Sequence, residues 1–198
     1  MEQTIGIIIL AAGNSSRLGK PKQLLDYKGF TLLGNTLIQT ESVPNSIVIV
    51  VTGAYKQLMD KELASMSAEI AYNPDWESGM ASSITVGLQK LLAVNPSIKT
   101  CILTVCDQPF VTAQVYNTLL DQYETTGKGI VASSYAETLG TPVMFSHNYF
   151  DDLLNLKGQE GAKKILQLYK DDVAFIPFEK GAIDIDTPND YNHLINQL

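Results

Sequence analysis

The sequence has little of what several functional classes need. Only two cysteines, Cys101 and Cys106, and two histidines, His147 and His193, occur in 198 residues. The cysteines lie on one apolar run at an odd offset, which sends their side chains to opposite faces of a strand, so both read as core residues rather than a disulfide. Without a cluster of soft donors, any metal is expected to be an oxygen-bound cation such as Mg²⁺. Positive charge is scarce as well: 14 Lys and Arg stand against 21 Asp and Glu, a net charge of −7. That balance argues against a nucleic acid or an anionic membrane as the main partner. There is no run of about 18 apolar residues, hence no predicted membrane span. Glu2 without a basic stretch argues against an export signal, and the cytoplasm is the expected compartment. A G-x-S-x-G elbow is missing, which with so few histidines leaves little for a covalent hydrolase. Repeats, low-complexity segments and linkers are absent, and the length suits one domain over residues 1–198 that buries roughly 70% of its unfolded surface.

What is present is an alternation of strand and helix patterns, the mark of an α/β fold in which helices flank a mostly parallel central sheet. Strands are predicted at Ile5 to Leu10, Ser46 to Val51, Ala68 to Tyr72, Thr100 to Val105, Ile130 to Ser133, Gly140 to Phe145 and Val173 to Pro177. Thr31 is placed to cap a helix in which Leu32, Leu33, Thr36, Leu37 and Thr40 recur at helical spacing. Further helices are predicted after Tyr55, from Ser82 or Ser83 to about Leu92, from near Thr112, from Gln159 to Tyr169, and after Pro188. Glu124 to Lys128 reads as a polar loop.

The first strand empties into Leu10-Ala11-Ala12-Gly13-Asn14-Ser15-Ser16-Arg17-Leu18-Gly19-Lys20-Pro21-Lys22-Gln23. Small residues let this backbone approach a ligand and turn its amides toward phosphate oxygens, and Arg17, Lys20 and Lys22 add positive charge. An ordinary solvated turn would have a similar composition. Five residues separate Gly13 from Gly19 where a P-loop has four, and Pro21 stands where that motif needs Ser or Thr. The dinucleotide fingerprint fails too, because its glycine spacing is absent and Pro21 breaks any early helix.

Three later stretches carry chemistry-bearing residues. Gly79 gives a turn, and Ser82 or Ser83 after it suits either a helix cap or a site for an anion or sugar hydroxyl. Asp107 follows the strand ending at Val105, on the edge where open α/β sheets bind ligands. It is a candidate Mg²⁺ ligand there, or the cap of the helix near Thr112. Asp184 and Asp186 are predicted to share a strand face by the two-residue period, and Thr187-Pro188 with Asp190 starts the last helix.

These stretches resemble one family. The first loop matches L-A-[AG]-G-x-S-x-R-x-G followed by Lys, the signature of the nucleotidyltransferases related to molybdenum cofactor biosynthesis, the MobA-like family. Asn73-Pro74-Asp75-Trp76-Glu77-Ser78-Gly79-Met80-Ala81-Ser82-Ser83, Asp107-Gln108-Pro109, Gly140-Thr141-Pro142-Val143-Met144-Phe145 and Asp184-Ile185-Asp186-Thr187-Pro188-Asn189-Asp190 resemble its later motifs, in order. Ala12 and Asp-Gln-Pro are similar to the cytidylyl branch, whereas the guanylyl branch usually has A-G-G. The resemblance implies a Rossmann-like nucleotidyltransferase fold and transfer of CMP from CTP to the terminal phosphate of molybdenum-bound molybdopterin, with Mg²⁺. It further implies that Leu10, Ala11, Ala12, Gly13, Ser15, Ser16, Gly79, Ser82 and Ser83 border the nucleotide. Arg17, Lys22 and Asp107 would be catalytic, and Asp107 and Asp186 would hold the metal, with Asp184 a weaker candidate. Gly140, Pro142 and Lys163 would line the acceptor side. Transient contact with a molybdenum-enzyme chaperone or acceptor enzyme is also implied.

One stretch departs from the pattern. Where relatives read G-D-x-G-A-R, this chain has Gly158-Gln159-Glu160-Gly161-Ala162-Lys163, so an Asp is missing and a forked guanidinium has become an ammonium. A guanylyl or sugar-phosphate transferase and a catalytically silent nucleotide-binding partner are the other readings, the last favoured by Gln159 and Lys163.

Overall fold

The computed structural model describes residues 4–64 and 66–196. In chain order the elements are β1 (Ile5–Leu10), β2 (Asp26–Tyr27), β3 (Phe30–Thr31), α1 (Leu32–Glu41), β4 (Ser46–Thr52), α2 (Lys56–Leu63), β5 (Glu69–Tyr72), α3 (Met80–Val94), β6 (Thr100–Val105), α4 (Ala113–Thr126), β7 (Ile130–Tyr135), β8 (Thr138–Ser146), α5 (Phe150–Leu154), α6 (Ala162–Leu168), β9 (Val173–Pro177) and α7 (Pro188–Ile195). Seven strands form one sheet in the order β5-β4-β1-β6-β8-β7-β9. β8 alone runs against the others, antiparallel to both β6 and β7. β2 and β3 form a separate hairpin, closed by Lys28 and Gly29 at φ 56° and 82°, a left-handed pair that matches the twist of a two-residue turn.

β1 is apolar throughout because it is central. It pairs with β4 on one side and β6 on the other, and helices cover both faces. Its side chains alternate: Ile8 packs with Val51, Ile84, Leu88, Leu103 and Phe145, whereas Ile7 and Ile9 pack with Leu37, Val50, Met59 and Tyr116 on the opposite face. Each large apolar side chain fully buried this way stabilises the fold by about 1.5–3 kcal/mol. Cys101 and Cys106 are free and buried, one in each of these two layers, as their odd offset predicts. α3 lies close on the sheet because Gly87 faces it. A Cβ there would meet Val51 Cγ2 at 2.8 Å.

A third, smaller apolar cluster does the positioning. Leu18 and Leu25 from the stretch after β1 pack with Tyr27, Leu32, Leu194 and the fully buried Ile185. The segment before α7 is thereby pinned against the first loop, although some 160 residues separate them in sequence. α7 itself starts as its residues predict. Thr187 Oγ1 accepts from the Asp190 amide, the Asp190 carboxylate accepts from the Thr187 amide, and Pro188 occupies the first turn. Thr31 likewise caps α1, accepting from Gly34 N at 2.9 Å.

Four expectations are corrected. Residues 183–186 join no strand, so Asp184 and Asp186 are held by isolated contacts rather than a ladder. α3 begins at Met80 with Gly79 as N-cap, so neither Ser82 nor Ser83 caps it. The predicted loop from Glu124 is the last turn of α4, which ends at Gly127 in the left-handed region, φ 65°. The helix predicted from Gln159 starts at Ala162. No helix among the described residues is long and apolar enough to cross a membrane.

Candidate active site

β1, β6 and the segment before α7 all deliver residues to the carboxyl edge of the parallel strands. The loop after β1 is shaped by buried polar contacts. Gln23, almost wholly buried, donates through Nε2 to the carbonyls of Ala11 and Gly13, 2.9 Å each. Ser15, at φ 50°, accepts the Lys22 amide on its hydroxyl at 3.1 Å, and Asn14 Oδ1 accepts from Ser16 N. Tyr55 donates to the Asn14 carbonyl at 2.6 Å. The amides of Gly13, Asn14 and Ser15 make no hydrogen bond among the described residues, which leaves three adjacent donors for an anion.

Lys22 reaches from this loop to two carboxylates. Its ammonium bonds Asp107 Oδ2 and lies 2.8 Å from Asp186 Oδ1, while Arg17 Nη2 bonds Asp186 Oδ2 at 2.7 Å. Lys22, Asp107 and Asp186 side chains are 17%, 18% and 25% exposed, enclosed enough for their charges to matter. Burial alone would pull the Lys22 ammonium down, but Asp107 and then Asp186 outweigh it and leave its pKa raised. Burial would push Asp186 up, yet the hydrogen bond and charge of Lys22, with Arg17, hold it below the usual carboxylate range. Asp184 is pushed up by burial and by the negative charges of Asp186 and Asp107. The Asp107 carbonyl also accepts the Ile185 amide at 3.0 Å, so strand end and distal segment are joined through backbone as well.

Beside the triad opens a cleft of about 350 Å³, lined by Leu10, Ala12, Gly13, Asn14 and Lys22 on one side, Trp76, Glu77, Gly79, Met80 and Ser83 on the other, with Val105, Asp107 and Gln159. Gly79, at φ 115°, is pressed so close to Gly158 that a Cβ would collide with its carbonyl, and that carbonyl accepts the Ala81 amide at 3.2 Å. Residue 158 thus satisfies a free N–H of α3 in place of a side-chain cap. Asn73 Nδ2 donates to the hydroxyls of both Ser82 and Ser83, at 2.8 and 3.0 Å. Ser82 passes its own proton to the Gly79 or Asp75 carbonyl.

Residues 7–173 match the family described as the MobA-like NTP transferase domain. The chain belongs to that family. It is a nucleotidyltransferase with the Rossmann-like fold of the family. Among its relatives, the molybdenum cofactor cytidylyltransferase of Escherichia coli (strain K12) is 23% identical over 189 residues, 94% of this chain and 93% of that protein. The purine catabolism protein PucB of Bacillus subtilis (strain 168) is 27% identical over 195 residues, 93% of each. Of solved structures, Rv0371c from Mycobacterium tuberculosis H37Rv superposes with a TM-score of 0.85 at 31% identity, covering 99% of this chain and 100% of that one. A complex of Rv0371c with manganese superposes at 0.82 with 27% identity, covering 99% and 100%.

Within this MobA-like domain the residues expected from sequence fall into two groups. Leu10, Ala12, Gly13, Lys22, Gly79, Ser83 and Asp107 share the cleft, and Arg17 and Asp186 join them through the ion pairs. Ala11 is buried in the layer beneath, its amide and carbonyl both used by Val51 and Gln23. Ser16 is exposed at the loop's rim, with its amide already paired. Ser82 is turned to backbone carbonyls. Gly140, Pro142 and Lys163 line no part of the cleft. Gly140 packs under the Tyr135 hydroxyl, the Pro142 carbonyl accepts from Ser133, and Lys163 faces a separate groove with Thr138 and Lys170. Gln23, Tyr55, Asn73 and Gln108 organise the site without having stood out in the sequence. Gln23, Asn73 and Gln108 lie inside the motif-bearing stretches, whereas Tyr55 carried no signal.

Proposed function

We propose that this chain transfers CMP from CTP to the terminal phosphate of molybdenum-bound molybdopterin, giving molybdopterin cytosine dinucleotide and pyrophosphate. The observation that carries the reading is the convergence of Lys22, Asp107 and Asp186 next to the free amides of Gly13 to Ser15. Likeness to the Escherichia coli cytidylyltransferase supports the base and acceptor, as do Ala12 and Asp107-Gln108-Pro109.

An acceptor phosphate oxygen attacks the α-phosphorus in line, and the bond to the departing pyrophosphate breaks on the far side. Charge builds on the phosphoryl oxygens, so positioning and electrostatics supply most of the rate. Lys22 and the exposed Arg17 neutralise that charge, and the amides of Gly13, Asn14 and Ser15 hold the β and γ groups. Ser83 keeps a hydroxyl proton to donate into the cleft, because its oxygen already accepts from Asn73. The phosphate acceptor is ionised near neutral pH, so no general base is required.

The residues fit a hard divalent cation. The Lys22 ammonium already acts as a stand-in, touching one oxygen of each carboxylate, and the donors are all oxygen. Mg²⁺ usually keeps waters and substrate phosphates as ligands beside one or two carboxylates. Asp107 and Asp186 would hold it, and when bound it would withdraw charge from the phosphoryl oxygens.

A second reading keeps the chemistry and changes the base or acceptor. The match to PucB favours it. Incubation with purified molybdenum cofactor, Mg²⁺ and each of the four nucleoside triphosphates separates the two. Pyrophosphate released with CTP alone, and a pterin product heavier by one CMP, are expected. Turnover with another nucleotide, or CTP bound without turnover, would overturn the proposal.

A further inference from the structure

Asp107 and Asp186 have unequal support. Asp107 stands two residues past the end of a central strand, whereas Asp186 lies on residues 183–186, which pair with no strand. That segment is anchored by Ile185 in the apolar cluster and on the Asp107 carbonyl, by the Ile183 amide on the Lys180 carbonyl at 3.1 Å, by Lys22 and Arg17 on the Asp186 carboxylate, and by Asp190, whose Oδ2 accepts from the amides of Asp186 and Thr187 at 3.2 and 2.8 Å. A further tie, to Gly181 in the turn just before this segment, comes from the residue next to Asp107. Gln108 is 4% exposed and donates through Nε2 to the Gly181 carbonyl at 2.7 Å. The same nitrogen lies 3.3 Å from the Tyr135 hydroxyl, and Oε1 accepts from Thr141 Oγ1 at 3.0 Å.

Packing alone does not call for an amide here. A methionine would fill the same volume without the cost of removing a polar group from water. What the amide adds is direction, because both ends of its dipole are used by three different parts of the chain.

We propose that Gln108 is a positioning residue that sets the separation of Asp107 and Asp186, acting through its hydrogen bond to the Gly181 carbonyl. This rests on the reading that those two carboxylates hold the divalent cation during nucleotidyl transfer. Neighbours that orient metal-binding carboxylates typically change metal affinity by about 10–100-fold when removed.

The test uses the full chain, a non-hydrolysable CTP analogue and Mn²⁺ followed by electron paramagnetic resonance. Gln108→Met is expected to weaken Mn²⁺ binding about tenfold, the lower end of that range. Gln108→Glu is expected to weaken it at least as much, because a carboxylate keeps the acceptor for Thr141 but cannot donate to Gly181. Thr141→Val should bind like the wild type. In turnover, kcat should fall with little change in the KM for CTP. A merely structural role would lower the melting temperature and leave Mn²⁺ affinity unmoved in the folded protein. If Gln108→Met does not fold, Gln108→Glu, close in size and still polar, decides alone.

Wild-type affinity in either Gln108 variant would overturn the positioning role while the metal reading survives. Asp186→Asn retaining wild-type Mn²⁺ affinity would overturn the metal reading, and the role of Gln108 with it.

Discussion

Replacing Lys22 with methionine gives the sharpest test of how the charged centre works. The ammonium sits between Asp107 and Asp186, in the notch a divalent cation would have to enter. A hydrogen bond to a charged group contributes about 1.5–3 kcal/mol. A cation entering the ligand-free protein must break two such bonds, part of which the freed ammonium recovers from water. A net handicap equal to one bond corresponds to a factor of about 10–100, since each 1.4 kcal/mol is about tenfold. Lys22→Met should therefore bind Mn²⁺ roughly 10–100-fold more tightly than the wild type when no nucleotide is present. With a CTP analogue the gap should narrow, because the triphosphate offers the wild-type ammonium another partner. Turnover should fall by about 10²–10³-fold, the usual loss when one stabiliser of transition-state charge is removed. Paramagnetic resonance titrations with and without the analogue measure the first two quantities. A melting curve with and without Mg²⁺ gives an independent check, since the cation should stabilise the variant more than the wild type. Equal Mn²⁺ affinities without nucleotide would refute the idea that lysine and metal compete.

Other predictions concern the same region and its support. The stabilisation of Asp186 by Lys22 and Arg17 has a defined pH window: Asp186 is held below its ordinary value of 3.8, so its contribution is full above that value and lost as pH falls through the depressed one. Lys22 is raised above 10.5, so its contribution is full below that pH and lost as pH rises through the raised value. Urea unfolding should thus show a gap between wild type and Asp186→Asn that is flat from about pH 5 to 10 and closes in acid. Gly79→Ala should cost about 1–3 kcal/mol from its φ of 115° and push Gly158 outward, weakening binding of a CTP analogue by calorimetry. Wild-type affinity there would show that this contact does not shape the cleft. Burial and the nearby Asp107 push the Cys106 thiol up to about 12, and burial raises Cys101 further. Neither should react with a thiol reagent at pH 8 in the folded protein, and both should in guanidinium.

Much of this arrangement was legible from the chain alone because its signals are local. Runs such as Ile5 to Leu10 and Thr100 to Val105 can be buried only as central strands, and Thr31 and Thr187-Pro188 carry their cap chemistry within four residues. Asp107 could be placed because the strand before it ends at a known edge. Direction and partnership were not legible. Nothing in the periodicity of Thr138 to Ser146 tells that β8 runs backwards, and the alternation of Ile183 to Asp186 looks the same whether or not a neighbouring strand exists. The roles of Gln23 and Gln108 were equally hidden although both lie in motif-bearing stretches, because a buried glutamine differs from a surface one only by contacts made with distant residues. The serines after Gly79 misled for a related reason. Their usual role as caps was taken by Gly158, a backbone group contributed from another part of the chain.

The reversed course of β8 has a practical meaning for how such a protein diversifies. Its opening residues and the tip at Ala136 and Glu137 emerge on the same rim as the first loop, yet they arrive by a hairpin and not by a helical crossover. A hairpin tip can gain or lose residues while the rungs below it keep their register. The half of the rim built on this hairpin can therefore change length and composition, while the half built on β1 and β6, where Lys22 and Asp107 meet, is left untouched.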